Sequence, residues 1–184
     1  AEEIGAIHKV IHVDELEGAG IENNPVNRCY LCKKYMFTKV KELAHSLGIS
    51  TILEGTNADD LKQYRPGIKA IQELGLHSPL LEANMTKKEI RELASTYDLK
   101  AANKPSSPCL ATRFPYNTLL NYEEMRKVEK IEDYLHTLGF YNVRARIHDD
   151  LVRLEIDQDA FMKCMDKRQE IVLFIKELGY DYVT

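Results

Sequence analysis

Between Lys104 and Tyr116 the chain reads Lys-Pro-Ser-Ser-Pro-Cys-Leu-Ala-Thr-Arg-Phe-Pro-Tyr. Pro105, Pro108 and Pro115 each fix φ and withhold a backbone donor, so neither a helix nor a strand ladder can run through this stretch. The segment is a braced, irregular connection, and regular structure has to lie on either side of it. Cys109 sits at its centre and Arg113 just beyond. A thiol and a fixed charge on a loop that the scaffold holds still suit a reactive site. A buried cysteine in a proline-rich connection would carry the same letters. A second cysteine pair upstream, Cys29 and Cys32, weighs toward the site.

An apolar share of 44% and a charged share of 29% are those of a globular protein with a true core. At 184 residues the chain suits one domain, or one domain with a small appendage. No apolar run approaches the roughly 20 residues that span a bilayer, which gives a membrane role no support. The net charge of −4 argues against a generic polyanion binder, so nucleic acid is not an expected partner. The Cys-x-x-Cys spacing without a signal peptide points to a reducing, cytoplasmic setting with metal or redox chemistry. The opening Ala1-Glu-Glu-Ile-Gly5 reads as the end of a helix capped by Gly5, and residues upstream of it are expected.

In chain order, Ala6 to Val13 is short, β-branched and partly alternating, which predicts a strand with His8 and His12 on one face. After a loop, Asn27-Arg-Cys-Tyr-Leu-Cys-Lys-Lys leads into a helix through Gly48, its stripe made by Phe37, Val40, Leu43, Ala44 and Leu47. Cys29 and Cys32 therefore lie at a helix entrance, where partially positive amides stabilise thiolates. Ser50 to Leu53 predicts a second strand, followed by Glu54-Gly-Thr-Asn-Ala-Asp-Asp60. The carboxyl end of a buried parallel strand is where open α/β sheets bind ligands. There Gly55 permits close approach, Thr56 and Asn57 offer hydrogen bonds, and Asp59 or Asp60 can hold a magnesium ion. A plain strand, turn and N-cap fits the same residues. Ile68, Ile71 and Leu74 mark a short helix, His77 to Glu82 a third strand or extended segment, and Thr86 to Glu89 a capping box before Ile90, Leu93 and Ala94.

Beyond Tyr116 the character changes. Asn121 to Leu138 is an amphipathic helix with Met125, Val128, Ile131, Leu135 and Leu138 inward. Val143–Ile147 and Leu151–Ile156 alternate as strands around a His148-Asp149-Asp150 turn. A last helix from Asp166 to Leu178 and a terminal strand at Tyr180 to Val183 complete an α+β unit. The domains expected are residues 1–116 and 117–184. Arg144 and Arg146 share a strand face and can grip a phosphate or carboxylate, with Arg153 on the partner strand, or simply coat a solvated hairpin. Glu132, on the helix before them, reads equally well as a solvated glutamate. Cys164 reads as packing.

Cys29, Cys32 and Cys109 admit three chemistries: zinc, which when structural wants a fourth ligand; an iron–sulfur cluster with one iron left open; or a dithiol with Cys109 as a persulfide carrier.

Taken together, Asn27-Arg-Cys-Tyr-Leu-Cys-Lys-Lys, Glu54-Gly-Thr-Asn-Ala-Asp-Asp, Tyr64-Arg-Pro-Gly, Ser78-Pro-Leu-Leu-Glu and Lys104-Pro-Ser-Ser-Pro-Cys-Leu-Ala-Thr-Arg resemble the LarE family over nearly the whole chain. These are ATP-dependent sulfur transferases of the PP-loop (N-type ATP pyrophosphatase) superfamily. The resemblance implies a parallel sheet with helices on both faces, plus a small C-terminal α+β unit for substrate binding and oligomerisation. It implies adenylylation of a carboxylate of a pyridinium dicarboxylate mononucleotide by ATP and Mg2+, then conversion to a thiocarboxylate, in nickel-pincer cofactor biosynthesis. One branch of the family sacrifices a single cysteine, matching Cys109. Another holds an iron–sulfur cluster, expected as 4Fe–4S, on three, matching Cys29, Cys32 and Cys109, and this sequence has all three. By motif position Gly55, Thr56, Asn57 and Asp60 would serve ATP and Mg2+, and Arg113, Glu132, Arg144 and Arg146 the substrate. The family's homo-oligomers imply the same here. The superfamily's Ser-Gly-Gly-x-Asp-Ser loop is absent from these residues, so the resemblance assigns ATP binding to the parent protein. Two other readings remain: another PP-loop ligase or tRNA thiolase, and a non-catalytic metal-binding module.

Overall fold

The computed structural model describes residue 1, residues 4–106 and residues 108–184. Among them the protein is mixed α/β, with eight α-helices and one three-stranded sheet. Contacts divide the chain into two compact units: Ala1–Ile21 with Val26–Ala102, and Glu22–Pro25 with Asn103–Thr184. The helix end read at Ala1 to Gly5 lies partly outside the described residues, as does Ser107 of the proline loop.

The first unit holds α1 (Glu15–Ala19), α2 (Arg28–Ser46), α3 (Gly67–Glu73), α4 (Pro79–Glu82) and α5 (Lys87–Thr96). Local chemistry sets these boundaries. Asp14 caps α1 by accepting from the Leu16 and Glu17 amides at 3.1 and 3.2 Å. The capping box before α5 forms as its letters predict: the Glu89 amide donates to Thr86 Oγ1 at 3.3 Å, and Glu89 Oε2 takes the Thr86 amide at 2.8 Å. Gly67 opens α3 against α2. A Cβ there would stand 2.7 Å from Lys33 Cδ and 3.3 Å from the Cys29 carbonyl, so a larger residue would have to move the Lys33 side chain and press on that carbonyl.

Strand expectations in this unit are corrected. Ala6 to Val13 runs without secondary structure, and Ile7 is 91% exposed. β-Branched residues favour a strand only where a neighbour supplies a ladder, and among the described residues none pairs with this one. His8 and His12 therefore share no strand face. The second strand reduces to one parallel bridge, Leu53 with His77. The third is a helix turn, because Pro79 takes the first helical position, where its missing N–H costs nothing.

The second unit holds α6 (Tyr122–Thr137), β1 (Val143–His148), β2 (Leu151–Ile156), α7 (Phe161–Asp166), α8 (Arg168–Glu177) and β3 (Tyr182–Val183). The hairpin pairs antiparallel with Val143 opposite Ile156 and Arg146 opposite Arg153, and β3 joins β2 in parallel. Asp149, at φ 55°, turns the hairpin in a left-handed conformation that aspartate tolerates. Val128, Ile131 and Leu135 of α6 pack with Val143, Ala145 and Ile147 of β1, Val152 of β2 and Ile171 and Ile175 of α8 in one core. Strand alternation then leaves Arg144 and Arg146 on the other face of β1. The expected last helix stands as α8, starting two residues later at Arg168, and Lys167, at φ −95°, ψ 5°, separates it from α7. Cys164 of α7 packs against the core as read, and burial pushes its thiol up.

Glu22–Pro25 belongs to this second unit although its sequence neighbours do not. Asn24, fully buried, donates from Nδ2 to the carbonyls of Phe114 at 3.2 Å and Pro115 at 2.6 Å. The Asn117 amide returns a bond to the Asn24 carbonyl at 3.0 Å.

Candidate functional site

In the first unit the motif after Leu53 is organised by its own first residue. Glu54 is buried, with its side chain 7% exposed. Its carboxylate accepts from the Thr56 amide at 3.0 Å, Thr56 Oγ1 at 2.8 Å and Ser78 Oγ, with Lys33 Nζ at 3.6 Å. Thr56 is thereby turned inward. Asn57 caps the 3-10 turn Ala58–Lys62 by accepting from the Asp59 amide at 3.0 Å, while Asp60 takes the Asn57 amide at 3.1 Å and pairs with Arg65 at 3.0 Å. A Cβ at Gly55 would meet nothing within 4 Å, so packing does not demand glycine there.

Burial alone would raise the Glu54 carboxyl, but hydrogen bonds from Ser78 and Thr56 and the Lys33 charge outweigh it and hold the group below 4.5. A carboxyl depressed in the fold contributes stability above its ordinary value and loses it as pH falls through the folded one. The melting temperature should therefore drop between about pH 5 and pH 3, and drop less in Glu54→Gln. Parallel pH profiles for the two proteins would remove Glu54 from acid stability.

Cys29 and Cys32 lie in the first turns of α2, as the spacing predicts, and share a helix face. Cys29 is exposed. Cys32 is half-buried, its Sγ donating to Glu15 Oε2 at 3.7 Å. None of the four cysteines is in a disulfide.

The proline loop is in the second unit. Cys109 is exposed and starts the 3-10 turn Leu110–Arg113. Its carbonyl accepts from the Thr112 amide at 3.0 Å and Thr112 Oγ1 at 2.7 Å. Arg113, 3% exposed, forms a fork with Glu132 of α6, Nε and Nη2 each at 2.7 Å from a carboxylate oxygen. Glu132 Oε1 also takes the Ala145 amide of β1 at 2.9 Å. Arg113 Nη1 turns back to the Pro108 carbonyl at 3.2 Å, the Cys109 carbonyl at 3.4 Å and Thr112 Oγ1 at 2.9 Å. From the outer face of β1, Arg144 Nη2 reaches the Ser106 carbonyl at 3.2 Å and Arg146 Nη1 the Thr112 carbonyl at 2.9 Å. Arg146 and Arg153 share Glu155, at 2.6 and 2.9 Å, and the Arg146 bond holds that carboxyl below its ordinary range.

The structure therefore gathers Cys109, Arg113, Glu132, Arg144 and Arg146 in one unit, and Cys29, Cys32, Gly55, Thr56, Asn57 and Asp60 in the other. Within neither unit, among the described residues, do three or more His, Cys, Asp or Glu side chains form a metal-binding group. No helix among those residues is long and apolar enough to cross a membrane. Sequence reasoning passed over Glu54 as an organiser. Its signal is an acid directly ending the apolar run Ile52-Leu53, where an unpaired carboxylate would be costly.

No protein-family profile matches the chain. An uncharacterized protein of Synechocystis is 36% identical over 186 residues, covering 100% of this chain and 69% of the relative. The pyridinium-3,5-bisthiocarboxylic acid mononucleotide synthase of Lactiplantibacillus plantarum is 34% identical over 184 residues, 100% of this chain and 67% of that synthase. An uncharacterized protein of Methanocaldococcus jannaschii is 33% identical over 95% of this chain and 66% of its own length. The matches to the first two relatives cover the whole of this chain, and so both units. The chain belongs to the LarE family, that of the Lactiplantibacillus synthase, and spans about two thirds of the length of each of these relatives.

Proposed function

We propose that the protein carrying this chain is an ATP-dependent sulfur transferase of nickel-pincer cofactor biosynthesis, acting on a pyridinium dicarboxylate mononucleotide. The observation that carries this reading is an exposed thiol, Cys109, on a loop held against the arginines of β1, in a chain similar throughout to the Lactiplantibacillus synthase. The substrate carboxylate attacks the α-phosphorus of ATP and pyrophosphate leaves. The acyl-adenylate carbon then meets a sulfur nucleophile, its bond to the AMP oxygen breaks, and AMP departs with the electron pair. With the Cys109 thiolate as nucleophile, the product is a thioester. Breaking the Cys109 Cβ–S bond with loss of the α-proton then yields the thiocarboxylate and leaves dehydroalanine.

Arg144 and Arg146 supply guanidiniums for the substrate phosphate, for which planar, always-charged donors are suited. Thr56, Asn57 and Asp60 are assigned to ATP and Mg2+ in a PP-loop fold, with Gly55 open to close approach. The donor set of Cys29, Cys32 and Cys109, thiols outside any disulfide, is that of a three-cysteine 4Fe–4S cluster. When bound, that cluster would supply the transferred sulfide in place of the Cys109 sulfur.

Anaerobically purified full-length protein, given ATP, Mg2+ and the dicarboxylate mononucleotide, is expected to release pyrophosphate and form a thiocarboxylate detectable by mass spectrometry. No substrate-dependent pyrophosphate release would sink the reading. Iron with acid-labile sulfide in the same preparation supports the cluster, whereas stoichiometric zinc points to a structural metal. Arg144→Ala should raise KM for the mononucleotide by about tenfold or more and leave that for ATP little changed. Equal losses for both would remove Arg144 from the substrate phosphate.

A further inference from the structure

We infer that Arg113 and Glu132 are positioning residues that fix the peptide bearing the Cys109 thiol, and that neither touches the substrate. The inference rests on the reading of Cys109 as a sulfur-transfer residue. Four observations carry it.

First, the guanidinium is almost fully committed. Arginine has five N–H donors. Nε and one Nη2 hydrogen go to Glu132, and the Nη1 pair faces the Pro108 and Cys109 carbonyls and Thr112 Oγ1. Second, the pair is inside the protein, with side chains 2% and 11% exposed, so a substrate phosphate would have to displace a buried carboxylate. Third, Glu132 is anchored as well. It extends from α6 among core residues and accepts the Ala145 amide of β1, so the fork joins the loop to helix and strand together. Fourth, everything Arg113 Nη1 reaches on the loop lies at Cys109, the residue before it, or the residue whose hydroxyl caps its carbonyl. Cys109 stays exposed while its carbonyl accepts from three donors, the Thr112 amide, Thr112 Oγ1 and Arg113 Nη1. A reactive group needs this combination, since a displacement of about 1 Å can cost two orders of magnitude in rate.

Lysine cannot replace this arginine, because one ammonium cannot fork across a carboxylate and also turn back to the loop. The test compares Arg113→Lys, Glu132→Gln and, as a milder variant, Thr112→Val in the full-length protein. Folding is checked by circular dichroism. Turnover of sulfur transfer at saturating mononucleotide should fall about tenfold or more, with KM for the mononucleotide within about threefold of wild type. Hydrogen exchange of the amides from Cys109 to Arg113 should speed up, while that of α2 stays unchanged. A rise in KM of about tenfold or more at constant turnover would mean that the pair binds substrate and would overturn the inference. Faster loop exchange without loss of turnover would overturn it too, as would no change in either. A wild-type protein that transfers no sulfur would defeat the proposed function instead; the exchange comparison would still report whether the pair holds the loop.

Discussion

Glu132→Ala is expected to destabilise the protein by about 3–5 kcal/mol, measured by urea unfolding with a probe in the second unit. The size follows from what is left behind. Arg113 is 3% exposed, so its charge would remain buried without a counterion, and the Ala145 amide would lose its acceptor. An exposed ion pair would cost at most about 1 kcal/mol, and a loss that small would show that water reaches this pair in solution. Replacing both partners by apolar residues, as in Arg113→Met with Glu132→Leu, should recover much of the stability, because no charge is then stranded. It should not recover the hold on Cys109, since a thioether donates no hydrogen bond.

Cys109→Ala is expected to abolish thiocarboxylate formation while substrate-dependent pyrophosphate release continues. The thiol is exposed, so its removal opens no core cavity and the melting temperature should stay close to wild type. Adenylylation uses the carboxylate and ATP, whereas sulfur transfer needs the group removed. Cys29→Ala and Cys32→Ala sort the two sulfur sources: both should abolish transfer if the three cysteines share a cluster, and both should spare a single turnover if Cys109 spends its own sulfur. Transfer that survives Cys109→Ala would make this cysteine structural and end both versions.

Legibility in the sequence varied with the range of the interaction. The hairpin, α6 with its Asn121 cap, and the Thr86–Glu89 box are local patterns, and each stands where its letters put it. Ala6 to Val13 and His77 to Glu82 look extended in the sequence because short apolar runs do not by themselves distinguish strand, turn and coil. Ser78-Pro79 carried a helix-start signal that outweighs that reading. For the site, the exposed helix-entrance cysteine Cys29 and the braced loop of Cys109 were visible from composition and spacing. The Arg113–Glu132 fork was not. Its partners are 19 residues apart on a loop and a helix, and nothing in the local pattern of either distinguishes a buried charge from a solvated one.

The contacts of Asn24 have a consequence for how the molecule reaches its fold. Asn24 meets Phe114 and Pro115 across sequence separations of 90 and 91 residues, so the second unit is completed only by closing a ring that contains the Val26–Ala102 part of the first unit. The entropy of closing a ring grows with the logarithm of its length, and distant pairings of this kind slow folding. A fragment beginning at Asn103 would keep every helix and strand of the second unit described above. It would lack Asn24, whose side chain holds the carbonyls of Phe114 and Pro115 at the far end of the Cys109 loop.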